Sequence, residues 1–147
     1  MPNAITPLIQ QYTVDFASNN NFLFVKGIQG DGYGTRYVDI SLMNNGQPYT
    51  VNSEAVTVAI RGTKPDTSVI FNECEILDNN TIRVEITQQM SAIAGKGNYE
   101  ISIISNLENR TLTSAIALSN IFCLSDSAFW RSISFCFLIF CLILTIE

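Results

Sequence analysis

Histidine is absent from this 147-residue chain. That removes the commonest general base, the usual partner of a nucleophilic serine and the commonest metal ligand. Basic residues are scarce as well: eight Lys and Arg against 13 Asp and Glu give a net charge of −5. Nucleic-acid binding draws most of its affinity from neutralised phosphates, so nucleic acid is not an expected partner. An acidic chain does not dock on anionic membranes by charge either. Cysteine is nearly missing from the first 122 residues, where Cys74 stands alone; Cys123, Cys136 and Cys141 crowd the end. No CxxC or Cys/His spacing occurs, so no zinc site is expected. Cys74 reads as a small strand residue in a reducing compartment. The opening Met1-Pro2-Asn3-Ala4 lacks the basic stretch and apolar run of a secretory leader.

Hydrophobic residues make up 47% of the chain and charged ones only 14%. Disorder needs the opposite balance, so a folded chain is expected, and the length suits one domain with a real core. From Tyr12 to Phe122 short runs alternate with period two, cut by turn residues. Val38, Ile40 and Leu42 point one way and Asp39 and Ser41 the other, as on a strand with one buried face. Val56 to Ile60, Ile82 to Ile86 and Tyr99 to Ile103 repeat the pattern. Tyr12–Phe16, Phe22–Val25, Tyr49–Val51, a run from Val69 to Leu77, and Thr111–Phe122 are further expected strands. Asn44-Asn45-Gly46, Lys64-Pro65-Asp66 and Asp78-Asn79-Asn80 are turns. Thr87 to Ala92 lacks β character and suits one helical turn with Thr87 as N-cap. Helix-length periodicity is missing inside this region, which argues against βαβ units. The expected fold is therefore all-β: an antiparallel β-sandwich of about 8–9 short strands over residues 1–122.

Several short motifs occur in a recognisable order. Gln29-Gly30-Asp31 precedes Gly34-Thr35-Arg36-Tyr37; Asn45-Gly46-Gln47-Pro48 follows; then come Lys64-Pro65-Asp66, Val69-Ile70-Phe71-Asn72, Thr87-Gln88-Gln89-Met90 and Gly95-Lys96. The set, spanning roughly residues 10–122, resembles the N-terminal domain of phage baseplate upper proteins. One departure is visible: the family turn has Gly after Lys-Pro-Asp, and here Thr67 takes that place. Thr tolerates positive φ poorly, so a different turn type is expected. The resemblance implies a structural virion protein of the tail-tip baseplate, made in the host cytoplasm. Its partners would be baseplate or distal tail proteins and receptor-binding proteins, and it would form a homo-oligomer, by resemblance a trimer. No catalytic, cofactor-binding or metal residue comes across with the family.

The glycine-rich stretch from Gly27 to Gly34 precedes a strand, where a phosphate cradle needs a helix. Asp31 and Asp39 lack the spacing of a calcium loop. Glu73 and Glu75 would share one face of a continuous strand, the arrangement a carboxylate pair requires; a solvated sheet face is the plainer reading. Asp31, Tyr33, Arg36 and Tyr37 are the expected partner contacts, because Tyr and Arg are enriched at interface hot spots. The alternative to a baseplate adaptor is a membrane-anchored or surface carbohydrate-binding module, with Tyr33, Tyr37 and Tyr49 as its aromatic platform.

Composition changes after Phe122. Residues 122–147 hold five of the nine Phe, three of the four Cys and the only Trp. Ser132 to Ile146 is almost wholly apolar and reads as helical. Fifteen helical residues span about 22 Å against a hydrocarbon core of about 30 Å. Extending to residues 128–146 takes in Arg131, which would have to snorkel. Three readings of residues 123–147 stay open: a shifted or cut reading frame, a membrane segment, and an interaction segment buried in an assembly.

Overall fold

Alternation with period two requires each strand to present one apolar row, and two sheets must meet to bury those rows. A computed structural model describes residues 5–18, 23–114 and 118–123. In chain order the elements are β1 (Leu8–Asp15), β2 (Leu23–Ile28), β3 (Arg36–Asn44), β4 (Gln47–Pro48), β5 (Val56–Thr63), β6 (Val69–Glu73), β7 (Glu75–Asp78), β8 (Thr81–Glu85), α1 (Gln88–Ser91), β9 (Gly95–Ser105), β10 (Thr111–Thr113) and β11 (Leu118–Cys123). One sheet has the order β1-β3-β8-β7 with β4 on β3; the other has β2-β11-β9-β5-β6 with β10 on β9. The expected β-sandwich forms, mostly antiparallel. The parallel pairs among the described strands are β1 with β3 and β2 with β11. The N-terminal chain thus adds one strand to an edge of each sheet.

The core is the alternation made solid. Val38, Ile40 and Leu42 of β3, Ile82 and Val84 of β8, Val58 and Ile60 of β5, and Tyr99, Ile101 and Ile103 of β9 are buried in one cluster. Each such aliphatic side chain contributes about 2 kcal/mol on burial, before entropy. The helical turn forms where expected. Thr87 caps it, its hydroxyl accepting from the Met90 N–H at 3.3 Å. Met90, fully buried, joins the core cluster.

Three expected strands differ. Tyr49–Val51 is not a strand: the return arm of the hairpin stops at Pro48, and although the Tyr49 N–H still donates to the Leu42 carbonyl (2.9 Å), the Leu42 N–H goes to the Asn80 carbonyl (2.7 Å) and does not close the next rung. The run from Val69 to Leu77 divides at Cys74. The Cys74 N–H still donates to Val58 of β5 (2.8 Å), whereas Glu75 pairs with Arg83 of the opposite sheet. The chain therefore crosses between sheets at this residue. Of the expected strand Thr111–Phe122, β10 ends at Thr113, where Ser114 replaces a ladder rung with its side chain, and β11 begins at Leu118; residues 115–117 lie outside the described residues. The Ile101 N–H donates to Ser114 Oγ (3.0 Å), and the Ser114 N–H to the Ile101 carbonyl (2.8 Å).

The turns follow the sequence closely. Asn45 and Gly46 both take positive φ, 51° and 77°, the mirror-image turn favoured by a two-residue hairpin. Thr67, after Lys64-Pro65-Asp66, takes positive φ, 69°. The Thr67 N–H donates to the Lys64 carbonyl, the Ser68 carbonyl accepts from the Lys64 N–H, and the Asp66 carboxylate accepts from the Ser68 N–H and hydroxyl. The last described strand ends at Cys123. The membrane, reading-frame and assembly readings of the tail, and its expected helix, lie outside the described residues. Among the described residues no helix is long and apolar enough to cross a membrane.

Candidate interaction loop

The glycine-rich loop is shorter than the sequence suggested, since Gly27 lies within β2; residues 29–35 connect β2 to β3. Gly30 and Gly34 take positive φ, 96° and 72°, which a side chain resists. Between these hinges the loop is tied down at several points. The Asp31 N–H donates to the Ile28 carbonyl (3.2 Å), and the Asp31 carboxylate accepts from the Ile28 N–H (3.3 Å). The same carboxylate pairs with Arg36 Nε at the start of β3. The Thr35 hydroxyl donates to the Gly32 carbonyl (2.8 Å), and the Gly34 N–H donates to the Glu85 carboxylate on β8 (2.9 Å). Gln29 Nε2 donates to the Ala92 carbonyl just past α1 (2.9 Å). At the tip Tyr33 is 87% exposed.

The four expected contact residues therefore occupy different places. Asp31 and Arg36 come together, but as the pair that closes the loop; their side chains are only 22% and 14% exposed. Tyr37 lies on the outer face of the β1-β3-β8-β7 sheet under the Arg83 guanidinium, 5.3 Å from its ring centroid. Arg83 is held by Asp39 in a two-pronged pair at 2.7 and 2.9 Å, and that hydrogen bonding raises its pKa. Tyr33 alone projects.

The other candidates are dispersed too. Tyr49 packs on Phe16, ring centroids 5.3 Å apart, at the margin of the core. Tyr33, Tyr37 and Tyr49 thus form no common platform. Asp31 and Asp39, the imagined calcium ligands, each face an arginine. Among the described residues no cluster of Asp, Glu, Cys or His is placed to hold a metal. Glu73 and Glu75 do not share a strand face. The sheet switch at Cys74 puts Glu73 opposite Ala59 and Glu75 opposite Arg83. Burial pushes the Cys74 thiol up to about 12, so it stays protonated and unreactive.

Sequence reading missed the closure of the sandwich at the β1–β2 side. The Tyr12 hydroxyl donates to the Phe24 carbonyl (2.6 Å), and Gln10 Nε2 donates to the Lys26 carbonyl (3.2 Å). Both carbonyls belong to the outer edge of β2. The available signal was polar Gln10 and amphipathic Tyr12 alternating with Val14 on the core-facing row of β1.

No family model matches this chain, and no curated protein matches it. Among solved structures it is similar to the N-terminal domain of phage TP901-1 ORF48, with a TM-score of 0.56 and 14% identity. The match covers 81% of this chain and 100% of that one. At this identity the likeness is one of fold: the chain has a β-sandwich shared with the N-terminal domain of a phage protein.

Proposed function

We propose that this chain is a structural phage virion protein, a baseplate adaptor domain that attaches receptor-binding or tail-fibre components to the tail tip by protein–protein contacts and carries out no catalysis. The observation that carries the reading is the fold shared over the whole of a phage protein's N-terminal domain. The ordered motifs support it from a separate direction, since they fall at the turns and loop that the fold needs. Gln29-Gly30-Asp31 forms the tied loop, Asn45-Gly46 the hairpin turn, Lys64-Pro65-Asp66 the β5–β6 turn and Thr87 the helix cap. In this reading the contact is made by a surface already rigid before binding, which spares the cost of ordering a loop. Tyr33 is its anchor, and Asp31 and Arg36 hold it in place.

The test is co-expression of the full chain with the distal tail and receptor-binding proteins encoded beside its gene, followed by co-elution on a sizing column. A complex is expected, with Tyr33→Ala weakening it at least tenfold while the fold stays intact. Failure to associate with any neighbouring tail protein overturns the adaptor reading. Association unaffected by Tyr33→Ala overturns the assignment of the loop.

A further inference from the structure

Among the described residues four strands end the two sheets, β1 and β7 in one and β2 and β6 in the other, and their outer edges are unequal. The outer edge of β2 is occupied by its own protein: Tyr12 and Gln10 take the Phe24 and Lys26 carbonyls, and Asp31 takes the Ile28 N–H. β6 runs five residues and ends on Glu73; β7 runs four and is bulged between Ile76 and Asp78. β1 is different. It is eight residues long, and Leu8 to Val14 contains no charge, proline or glycine. Natural sheets commonly blunt long edges with such residues, because an open row of N–H and C=O groups recruits another strand.

The direction of that open row follows from the ladder. The Leu8 N–H donates to Thr35 and the Phe16 N–H to Met43, so even-numbered residues of β1 bond toward β3. Successive residues of a strand aim their backbone groups at opposite edges, so Ile9, Gln11 and Thr13 aim theirs outward. Their side chains are exposed on the outer face, Ile9 at 47%.

We propose that this edge pairs antiparallel with the same edge of a second copy, about a two-fold axis at Gln11, to form a dimer. The occupant is set by self-complementarity. With Gln11 facing its own copy, Ile9 meets Thr13 of the second copy and Thr13 meets Ile9. The three outward N–H groups of each strand then find the three carbonyls of the other. The Gln11 amide is both donor and acceptor, so it can bond its own copy. No charge lies between Leu8 and Val14 to oppose the pairing. An isologous pair of this kind closes at two copies. It is therefore distinguishable from the trimer that the family resemblance implies, and it does not depend on the baseplate reading.

Sedimentation of the full chain from 1 to 100 µM (concentrations on the order of ordinary homodimer affinities) tests this, with circular dichroism to confirm folding. The wild type is expected to form a dimer. Gln11→Pro removes an outward N–H without touching the β1–β3 ladder, and edge positions tolerate proline; it should weaken the dimer at least tenfold. Gln11→Lys and Gln11→Glu each place like charges across the axis. Each should sediment as a monomer, and an equimolar mixture of the two should recover the dimer. A wild-type monomer throughout the range overturns the proposal. So does a trimer, or an oligomer indifferent to all three substitutions.

Discussion

The carboxylate of Asp15, at the end of β1, accepts hydrogen bonds from the Asn45 and Gly46 N–H groups at 2.9 and 2.8 Å. It also accepts from the Ala17 N–H at 2.9 Å. One side chain thus ends the first strand and fixes the β3–β4 hairpin turn thirty residues further on. These bonds, led by those from Ala17 and Gly46, hold its pKa below the ordinary 3.8. A lowered carboxylate pKa stabilises the fold fully above the ordinary value, and that stability is lost as pH falls below 3.8. Asp15→Asn should lower the melting temperature at neutral pH. It should also flatten the decline in melting temperature from pH 5 to pH 2 (a window of about one unit above to two below an ordinary carboxylate pKa). A variant as acid-sensitive as the wild type would remove Asp15 from this role. Asp66, also lowered, first by the Ser68 hydroxyl, supplies a residual acid response of the same sign.

Thr67 sits at φ 69°, a conformation that disfavours a β-branched side chain. Neighbouring bonds enforce it, because Asp66 and Ser68 close the turn around it. Strain of this kind costs on the order of 1–3 kcal/mol, and glycine relieves it at some entropic cost in the unfolded chain. Thr67→Gly is therefore expected to stabilise the protein by about 1 kcal/mol, read as a higher urea midpoint at unchanged slope. A loss of stability would mean that Thr67 makes a compensating contact.

How much of this was legible in the sequence depends on the range of the interaction. Val38, Ile40 and Leu42 announced their strand because face is a local, two-residue property. Asn45-Gly46 and Thr87 announced a turn and a cap for the same reason. Partner choice is not local. Nothing in Leu8–Asp15 says that it pairs parallel to β3 and not antiparallel to β2. Nothing around Cys74 says that the chain leaves one sheet there, so Glu73 and Glu75 were read on one face. Asp15 looked like any polar strand end because its partners lie thirty residues away. The loop was legible as a loop, but the pairing of Asp31 with Arg36 depended on where β3 begins.

Gly62 and Gly97 flank the Tyr99 ring on neighbouring strands. A Cβ at Gly97 would lie 2.6 Å from the Tyr99 hydroxyl oxygen, and one at Gly62 would overlap the Asn98 carbonyl. Neither site can give way cheaply, since Tyr99 is a core residue and Asn98 O is backbone. Gly97→Ala should destabilise the domain by about 3 kcal/mol through overpacking. Gly97→Ala combined with Tyr99→Leu should cost less than the sum of the two, because the smaller side chain makes room. Additive losses in denaturant titrations would mean that the glycine is needed for its backbone and not for the ring.

The pair Asp31–Arg36 offers a way to separate a residue that touches a partner from one that positions the residue that does. Both side chains are largely covered, and each satisfies the other, so neither is a strong anchor in its own right. Yet Asp31 also takes the Ile28 N–H, and removing its carboxylate frees the loop at two points. Asp31→Ala is expected to cost about 1 kcal/mol of stability, the scale of a partly covered ion pair with one backbone bond. It should also raise backbone mobility at residues 29–35, read as faster amide exchange there and nowhere else. Partner affinity should fall with it, but the loss should vanish in a Tyr33→Ala background, because the loop then has no anchor left to position. If Asp31→Ala still weakens binding in that background, the carboxylate or Arg36 contacts the partner directly.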